Sequence, residues 1–199
     1  FYPSPYRDNG YDVSDYLDID PRVGTFDDFI GFLHAAGERS IRVIIDLVLN
    51  HTSAQHEWFQ DSRNPDSPYR EWYLWTDDPG RRGWHRDGDA HYFGIFWDQM
   101  PDLNYQNPAV KAEMFDTATW WLEEIGVDGF RLDAVLYIDE DGTALESTPE
   151  TLDFWRDFHG PFYGFDHVEL ARNHTDEAHV GQHYAIWMEE NGLANWRDY

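Results

Sequence analysis

Ile41-Arg42-Val43-Ile44-Ile45-Asp46-Leu47-Val48-Leu49 is a near-continuous apolar run rich in β-branched side chains. That pattern predicts a strand buried on both faces, as in a parallel sheet. Asp46 interrupts it, and a carboxylate in such a run is costly unless it is paired or does chemical work. A second run, Val127 to Val135, carries Arg131 and Asp133 two residues apart, hence on one face of a strand.

Working outward, Thr25-Phe26-Asp27-Asp28 reads as a helix start, with Thr25 as cap and Asp28 three residues on. Phe26, Phe29, Ile30 and Leu33 follow at helical spacing, and the helix is expected to end near Gly37. Asn107-Pro108 opens a second helix, with Asn as cap and Pro at the first helical position. Val110, Met114, Ala118, Trp121 or Leu122, and Ile125 form its buried stripe, and Gly126 stops it. Residues 1–24 are rich in Pro, Gly, Asp and Tyr and read as a structured loop. Residues 52–100 show no clear period and exceed a normal connection, so an inserted loop-rich subdomain is expected there. The order loop, helix, strand, insertion, helix, strand is α/β and compatible with a section of a barrel. Beyond Val135, Thr148-Pro149-Glu150 opens a helix expected to run to Phe158, and Tyr184 to Met188 is a short apolar run that fits strand or helix.

The chain has 199 residues with 41% hydrophobic side chains, enough for one domain with a core. Its opening, Phe1-Tyr2-Pro3-Ser4-Pro5, reads as the middle of something longer, so a fragment is expected. No apolar run approaches the ~20 residues a membrane span needs. Cysteine is absent, which removes disulfides, thiolate metal sites and cysteine nucleophiles. Net charge is −25, from 39 acidic and 14 basic side chains, of which only Lys111 is lysine. Such a surface repels phosphates, so nucleic acid is not an expected partner. Self-repulsion of this size is relieved by screening ions, and with lysine so scarce the chain reads as adapted to concentrated salt. Ten Trp and an aromatic content of 18% suit sugar binding, since the apolar face of a pyranose stacks on a ring.

Four segments, DNGYDVSDY (8–16), DLVLNHT (46–52), MPDLNYQNP (100–108) and GFRLDAV (129–135), resemble in order and spacing the α-amylase family of glycoside hydrolases. The resemblance covers about residues 1–155 and implies a partial (β/α)8 TIM barrel with an inserted subdomain after the third barrel strand. On that reading residues 1–51 and 101–158 belong to the catalytic barrel and 52–100 to the insertion. Residues 159–199 match poorly. The implied activity is retaining hydrolysis of α-linked glucans or malto-oligosaccharides through a covalent glycosyl-enzyme. Trehalose synthase and oligo-1,6-glucosidase relatives share the motifs, and a non-catalytic sugar-binding member is the alternative of another class.

The resemblance also implies roles. Asp133 stands where the family has its nucleophile, and Arg131 where an arginine holds that carboxylate ionised and oriented. A nearby cation is expected to lower the Asp133 pKa. His51 resembles the histidine that hydrogen-bonds the sugar, Tyr11 the platform under it, and Asp8 a polar sugar contact. Asp46 resembles a structural carboxylate under the site. Asn50 and Asp102 match positions that hold calcium in many members, with Tyr137, Ile138 and Glu140 as further oxygen donors; a helix-cap or turn role for Asn50 and Asp102 is the alternative. The family's second carboxylic acid has no clear counterpart. Glu189, after the Tyr184 to Met188 run, is the nearest candidate, with a solvated helix face as the plainer reading. The family's later His-Asp pair is absent. His179 and His183 lack the Glu of a metalloprotease helix, and Asp139 to Gly142 reads as an acidic turn.

Overall fold

Thr25 and Asp28 cap each other as their spacing requires. The Asp28 amide donates to Thr25 Oγ1 at 3.2 Å and the Thr25 amide to Asp28 Oδ2 at 2.9 Å, opening helix α1 (Phe26–Gly37). The computed structural model of the chain describes residues 1–80, 82–135 and 137–138. Among these, α1 is followed by β1 (Ile44–Val48), α2 (Glu57–Ser62), β2 (Trp75–Thr76), β3 (Trp84–Asp87), β4 (Ala90–Phe93), α3 (Pro108–Trp120) and β5 (Gly129–Asp133). No helix of the described residues is long and apolar enough to cross a membrane. Glu140, the 148–158 helix, the 159–199 segment and Glu189 lie outside the described residues.

β1 and β5 pair in parallel, with Asp46 opposite Arg131 and Val48 opposite Asp133. Such a pair needs a long crossover, which residues 49–128 supply. Ile45 and Leu47 are buried, but Ile44 is 59% exposed. The expectation of burial on both faces therefore holds for the Ile45 and Leu47 face and for Val48 on the other, but not for Ile44. The face shared by Ile44, Asp46 and Val48 is open at Ile44 and closes to full burial at Val48. Asp46 accepts an ion pair there, which satisfies a carboxylate that the run alone could not.

α3 starts as expected: Asn107 Oδ1 accepts from the Ala109 amide at 3.0 Å and Pro108 takes the first position. Its last turn, Trp121–Ile125, is π-helical, and Gly126 closes it at φ 87°, a left-handed conformation that costs glycine little. The wider turn seats Trp121 at 0% exposure. Phe1, Tyr2, Phe26 and Phe29 lie around its ring at centroid distances of 5.4–5.9 Å. Its Nε1 donates to Tyr16 O at 2.7 Å. Removing a core ring of this size typically costs about 3–5 kcal/mol. This cluster joins the opening loop, α1 and α3 behind the sheet.

Residues 52–106 hold regular structure that periodicity did not expose. α2 is capped by His56, whose Nδ1 accepts from the Trp58 amide at 3.2 Å. β2, β4 and β3 form an antiparallel sheet in that spatial order. Strands of two to four residues are too short to display a period of two. Phe59, Tyr73, Trp75 and Tyr92 fill the space between helix and sheet. The segment is fastened to the carboxyl end of β1: Leu103 N donates to Asn50 O at 2.8 Å, Thr52 N to Pro101 O at 3.1 Å, and the Tyr105 hydroxyl to Leu49 O at 2.7 Å.

Candidate active site

The parallel register brings three charges together at the carboxyl ends of β1 and β5. Arg131 Nη1 donates to Asp133 Oδ1 at 2.6 Å and to Asp46 Oδ1 at 2.7 Å. The Tyr11 hydroxyl lies 3.5 Å from the same nitrogen, and its ring centroid is 5.9 Å from the guanidinium carbon. Asp133 is half-buried and Arg131 exposed. Ala134, which follows, has φ 54°, a left-handed conformation that ends the strand directly after Asp133.

The Asp133 pKa departs from the sequence expectation. Burial raises it above the ordinary carboxylate value; the Arg131 charge and hydrogen bond oppose this, and the charges of Asp46 and Asp8 add to the rise. Arg131 therefore limits an upward shift and does not produce a downward one. One guanidinium shared between two carboxylates compensates each only in part.

His51 follows β1 and is 1% exposed. Burial draws its pKa down to about 4, so the ring is neutral near pH 7. Its Nδ1 lies 3.3 Å from Asn50 Nδ2, and its Nε2 has no hydrogen-bond partner among the described residues. The Tyr16 hydroxyl lies 2.8 Å from Val48 O and 2.7 Å from His51 O, fixing the chain where it leaves β1.

The opening loop is built around Asp12, which is 0% exposed. Asp12 accepts from Ser4 Oγ at 2.5 Å, the Arg7 amide at 3.0 Å and the Asp8 amide at 3.4 Å. These bonds turn the chain so that Asp8 and Tyr11 both act on Asp133 or its arginine. The sequence sets Asp12 beside Asp8 and Tyr11 in the opening loop, but its role as the buried acceptor that folds that loop was not legible. Its signal was the short DNGYD spacing, which lets one carboxylate gather several amides.

Phe96 is a second such residue. It is 45% exposed, with its ring edge-on to His51 at 5.3 Å and to Tyr137 at 5.4 Å. It stands on a tight loop from Gly94 to Asp102. A Cβ on Gly94 would meet Met100 O at 2.7 Å, so only glycine fits that close approach. Asp102 Oδ2 accepts from the Ile95 amide at 3.1 Å, and the Asp102 amide donates to Phe93 O at 3.0 Å.

Asn50 and Asp102 are neighbours, through the antiparallel bridge of His51 with Asp102 and the bond from Leu103 N to Asn50 O. Asn50 Oδ1 is buried without a hydrogen-bond partner among the described residues. Tyr137 is joined to this corner through Phe96, and Ile138 is buried in the core. A buried amide oxygen beside a carboxylate is a donor set that fits a hard cation, provided backbone carbonyls or further carboxylates complete it. No group of three or more His, Cys, Asp or Glu suited to a metal occurs among the described residues.

The family model for the alpha amylase catalytic domain matches residues 1–186. The chain belongs to the alpha-amylase family. It is 48% identical to a trehalose synthase/amylase of Mycolicibacterium smegmatis, over 76% of this chain and 28% of that protein. It is 42% identical to alpha-amylase 3 of Dictyoglomus thermophilum, over 76% of this chain and 30% of that protein. A crystal structure of Bacillus licheniformis trehalose-6-phosphate hydrolase superposes with a TM-score of 0.72 at 33% identity, covering 78% of this chain and 33% of that one. The chain thus spans under a third of the length of these relatives. Within the alpha-amylase family the β1–α3–β5 unit is a section of the (β/α)8 barrel, and Asp133 and Arg131 stand at the carboxyl end where barrel sites are built. Glu189 lies past the last residue matched to the family model.

Proposed function

We propose that this chain is the nucleophile-bearing part of a retaining enzyme acting on α-linked glucosides. The observation that carries the reading is Arg131 Nη1 bonded to both Asp133 and Asp46 across two parallel strands. Asp133 attacks the anomeric carbon as the glycosidic C–O bond breaks, and a carboxylic acid gives its proton to the leaving oxygen. Water or an acceptor hydroxyl then attacks the same carbon, returning a proton to that carboxylate and releasing Asp133. Arg131 keeps Asp133 ionised and aimed. Tyr11 lies under the sugar, Asp8 contacts its hydroxyls, and neutral His51 presents Nε2 to it. Glu189 is the candidate acid.

Residues 52–100 serve as the subdomain inserted after the third barrel strand, and they roof the site with Phe96. Calcium would be held by Asn50 and Asp102 with Tyr137, Ile138 and Glu140, tying barrel to insertion. Its positive charge would hold that corner together.

The test of function is product analysis of the complete protein on maltose, maltotriose, isomaltose and trehalose. Glucose released with initial α-configuration from at least one of them, or transfer of glucose to a sugar acceptor, is the expected result. Binding without turnover of any α-glucoside would favour a sugar-binding role and overturn the enzymatic one.

The same charge balance supports adaptation to salt. With a net charge of −25, the melting temperature is expected to rise by about 2–8 °C between 0.1 and 2 M KCl, as a gain of about one to two kcal/mol implies at this size. A flat melting temperature over that range would remove the proposal.

A further inference from the structure

Asp8 and Tyr11 stand at the two ends of one tight turn. The Tyr11 amide donates to Asp8 O at 2.9 Å, and between them Asn9 and Gly10 take left-handed φ of 51° and 98°. This is a type I′ turn, for which Asn-Gly is a favoured pair. The same pair is chemically short-lived. Asparagine is a thermolabile residue, and glycine has no Cβ to shield its nitrogen from the asparagine side chain before it. Here neither reacting group is engaged. Asn9 is exposed, its side chain makes no hydrogen bond among the described residues, and the Gly10 amide donates none there. The bond from Tyr11 alone closes the turn, so a local opening frees both groups.

We propose that Asn9-Gly10 is a site of deamidation, and that the isoaspartate formed there disables the candidate active site by lengthening the chain between Asp8 and Tyr11. The loss of function rests on the reading that these two residues contact the sugar; the modification itself does not. A solvent base removes the Gly10 amide proton, and the nitrogen attacks the Asn9 side-chain carbonyl carbon. As that bond forms, the carbon's bond to the side-chain nitrogen breaks, and ammonia leaves with a proton taken from water. Water then opens the succinimide ring. Opening at the side-chain carbonyl gives an aspartate in the original chain. Opening at the main-chain carbonyl gives isoaspartate, and the chain then runs through the side-chain methylene. The added methylene breaks the type I′ geometry, so the Tyr11–Asp8 bond is lost. The Tyr11 hydroxyl, 3.5 Å from Arg131 Nη1, then shifts relative to Asp8.

The complete protein is held in mildly alkaline buffer, and samples are followed in two ways. Peptide mapping with isoaspartyl methyltransferase labelling reads the chemistry at Asn9; it also separates it from Asn191-Gly192, which lies outside the described residues. Assay on p-nitrophenyl α-glucoside reads the site. The Asn9 peptide is expected to gain the mass of an amide turned to an acid and to accept the methyl label. Activity falls in step with the isoaspartate fraction. That fraction, separated by ion exchange, has kcat/KM lowered by about 10²-fold, the scale of an ångström-sized misplacement. Asn9→Gly accepts the left-handed conformation and cannot form the ring, so it holds its activity over the same interval. Freshly made Asn9→Asp carries the added charge on the original chain and stays within about threefold of wild type. An Asn9 peptide that stays unchanged in the folded protein, while the same peptide deamidates in urea, overturns the site. Isoaspartate at Asn9 with undiminished kcat/KM overturns its effect. Fresh wild type that turned over no α-glucoside would strike at the reading of the active site, and the mass would still decide the modification.

Discussion

Replacing Asp133 by Asn lowers turnover by about 10⁴-fold or more in the complete protein, on the scale of removing a nucleophile from other covalent enzymes. The amide keeps the shape and an oxygen that can accept from Arg131 Nη1, so the 2.6 Å contact has a successor. What disappears is the anionic oxygen to which the proposed mechanism assigns the bond to carbon. The variant is not expected to lose stability. The folded-state pKa of Asp133 is raised by burial, so its contribution to stability is fully present below the unfolded value and is lost as pH rises through the folded value. At pH 7 the ionised side chain costs stability, and the neutral amide removes that cost. Thermal melts at pH 7 should therefore place the variant level with or above wild type, while steady-state assays on an α-glucosyl fluoride show the collapse in turnover. Turnover close to wild type would exclude Asp133 as nucleophile.

The second large effect is at Arg131. Arg131→Gln leaves Asp133 and Asp46 facing each other with Asp8 nearby and no cation between them. The two terms that hold the Asp133 pKa down vanish, and the terms that raise it remain. The acid limb of kcat/KM, which would follow ionisation of Asp133 in the free protein, should move to higher pH. Turnover at its new optimum should still fall by about 10²–10³-fold, as expected for losing an oriented charge at a reacting centre. Arg131→Lys restores a charge but not the geometry that serves both carboxylates, so it should recover much of the limb and little of the rate. An acid limb that stays in place in Arg131→Gln would show that the arginine does not govern the nucleophile.

Some of this was legible before any coordinates. The Thr25–Asp28 capping box, the Asn107-Pro108 start and the Gly126 stop are local chemistry, and local chemistry reads directly from the chain. β1 and β5 were legible because β-branched runs of this length have few other uses. The pairing of Arg131 with Asp133 followed from a two-residue spacing. Three things were not legible, for physical reasons. The direction of the Asp133 pKa depends on burial against a charge shared with Asp46, and both terms are set by tertiary packing. Phe96 is ordinary in sequence and acquires its place only because Gly94 and Asp102 fold its loop over His51. The sheet β2–β4–β3 is made of strands too short to carry a pattern.

The ion triad is assembled from partners 85 residues apart, Asp46 on β1 and Arg131 on β5. During synthesis at about 5–20 residues per second, β1 therefore waits roughly 4–17 s for the strand that neutralises its carboxylate. In that interval Asp46 interrupts a hydrophobic strand with no cation to meet it, and the β1 edge stays unpaired. The segment of residues 52–106, which fastens past the end of β1 through Asn50 and Leu49, emerges first and fixes where that strand ends. That segment is thus positioned to meet the end of β1 well before β5 exists.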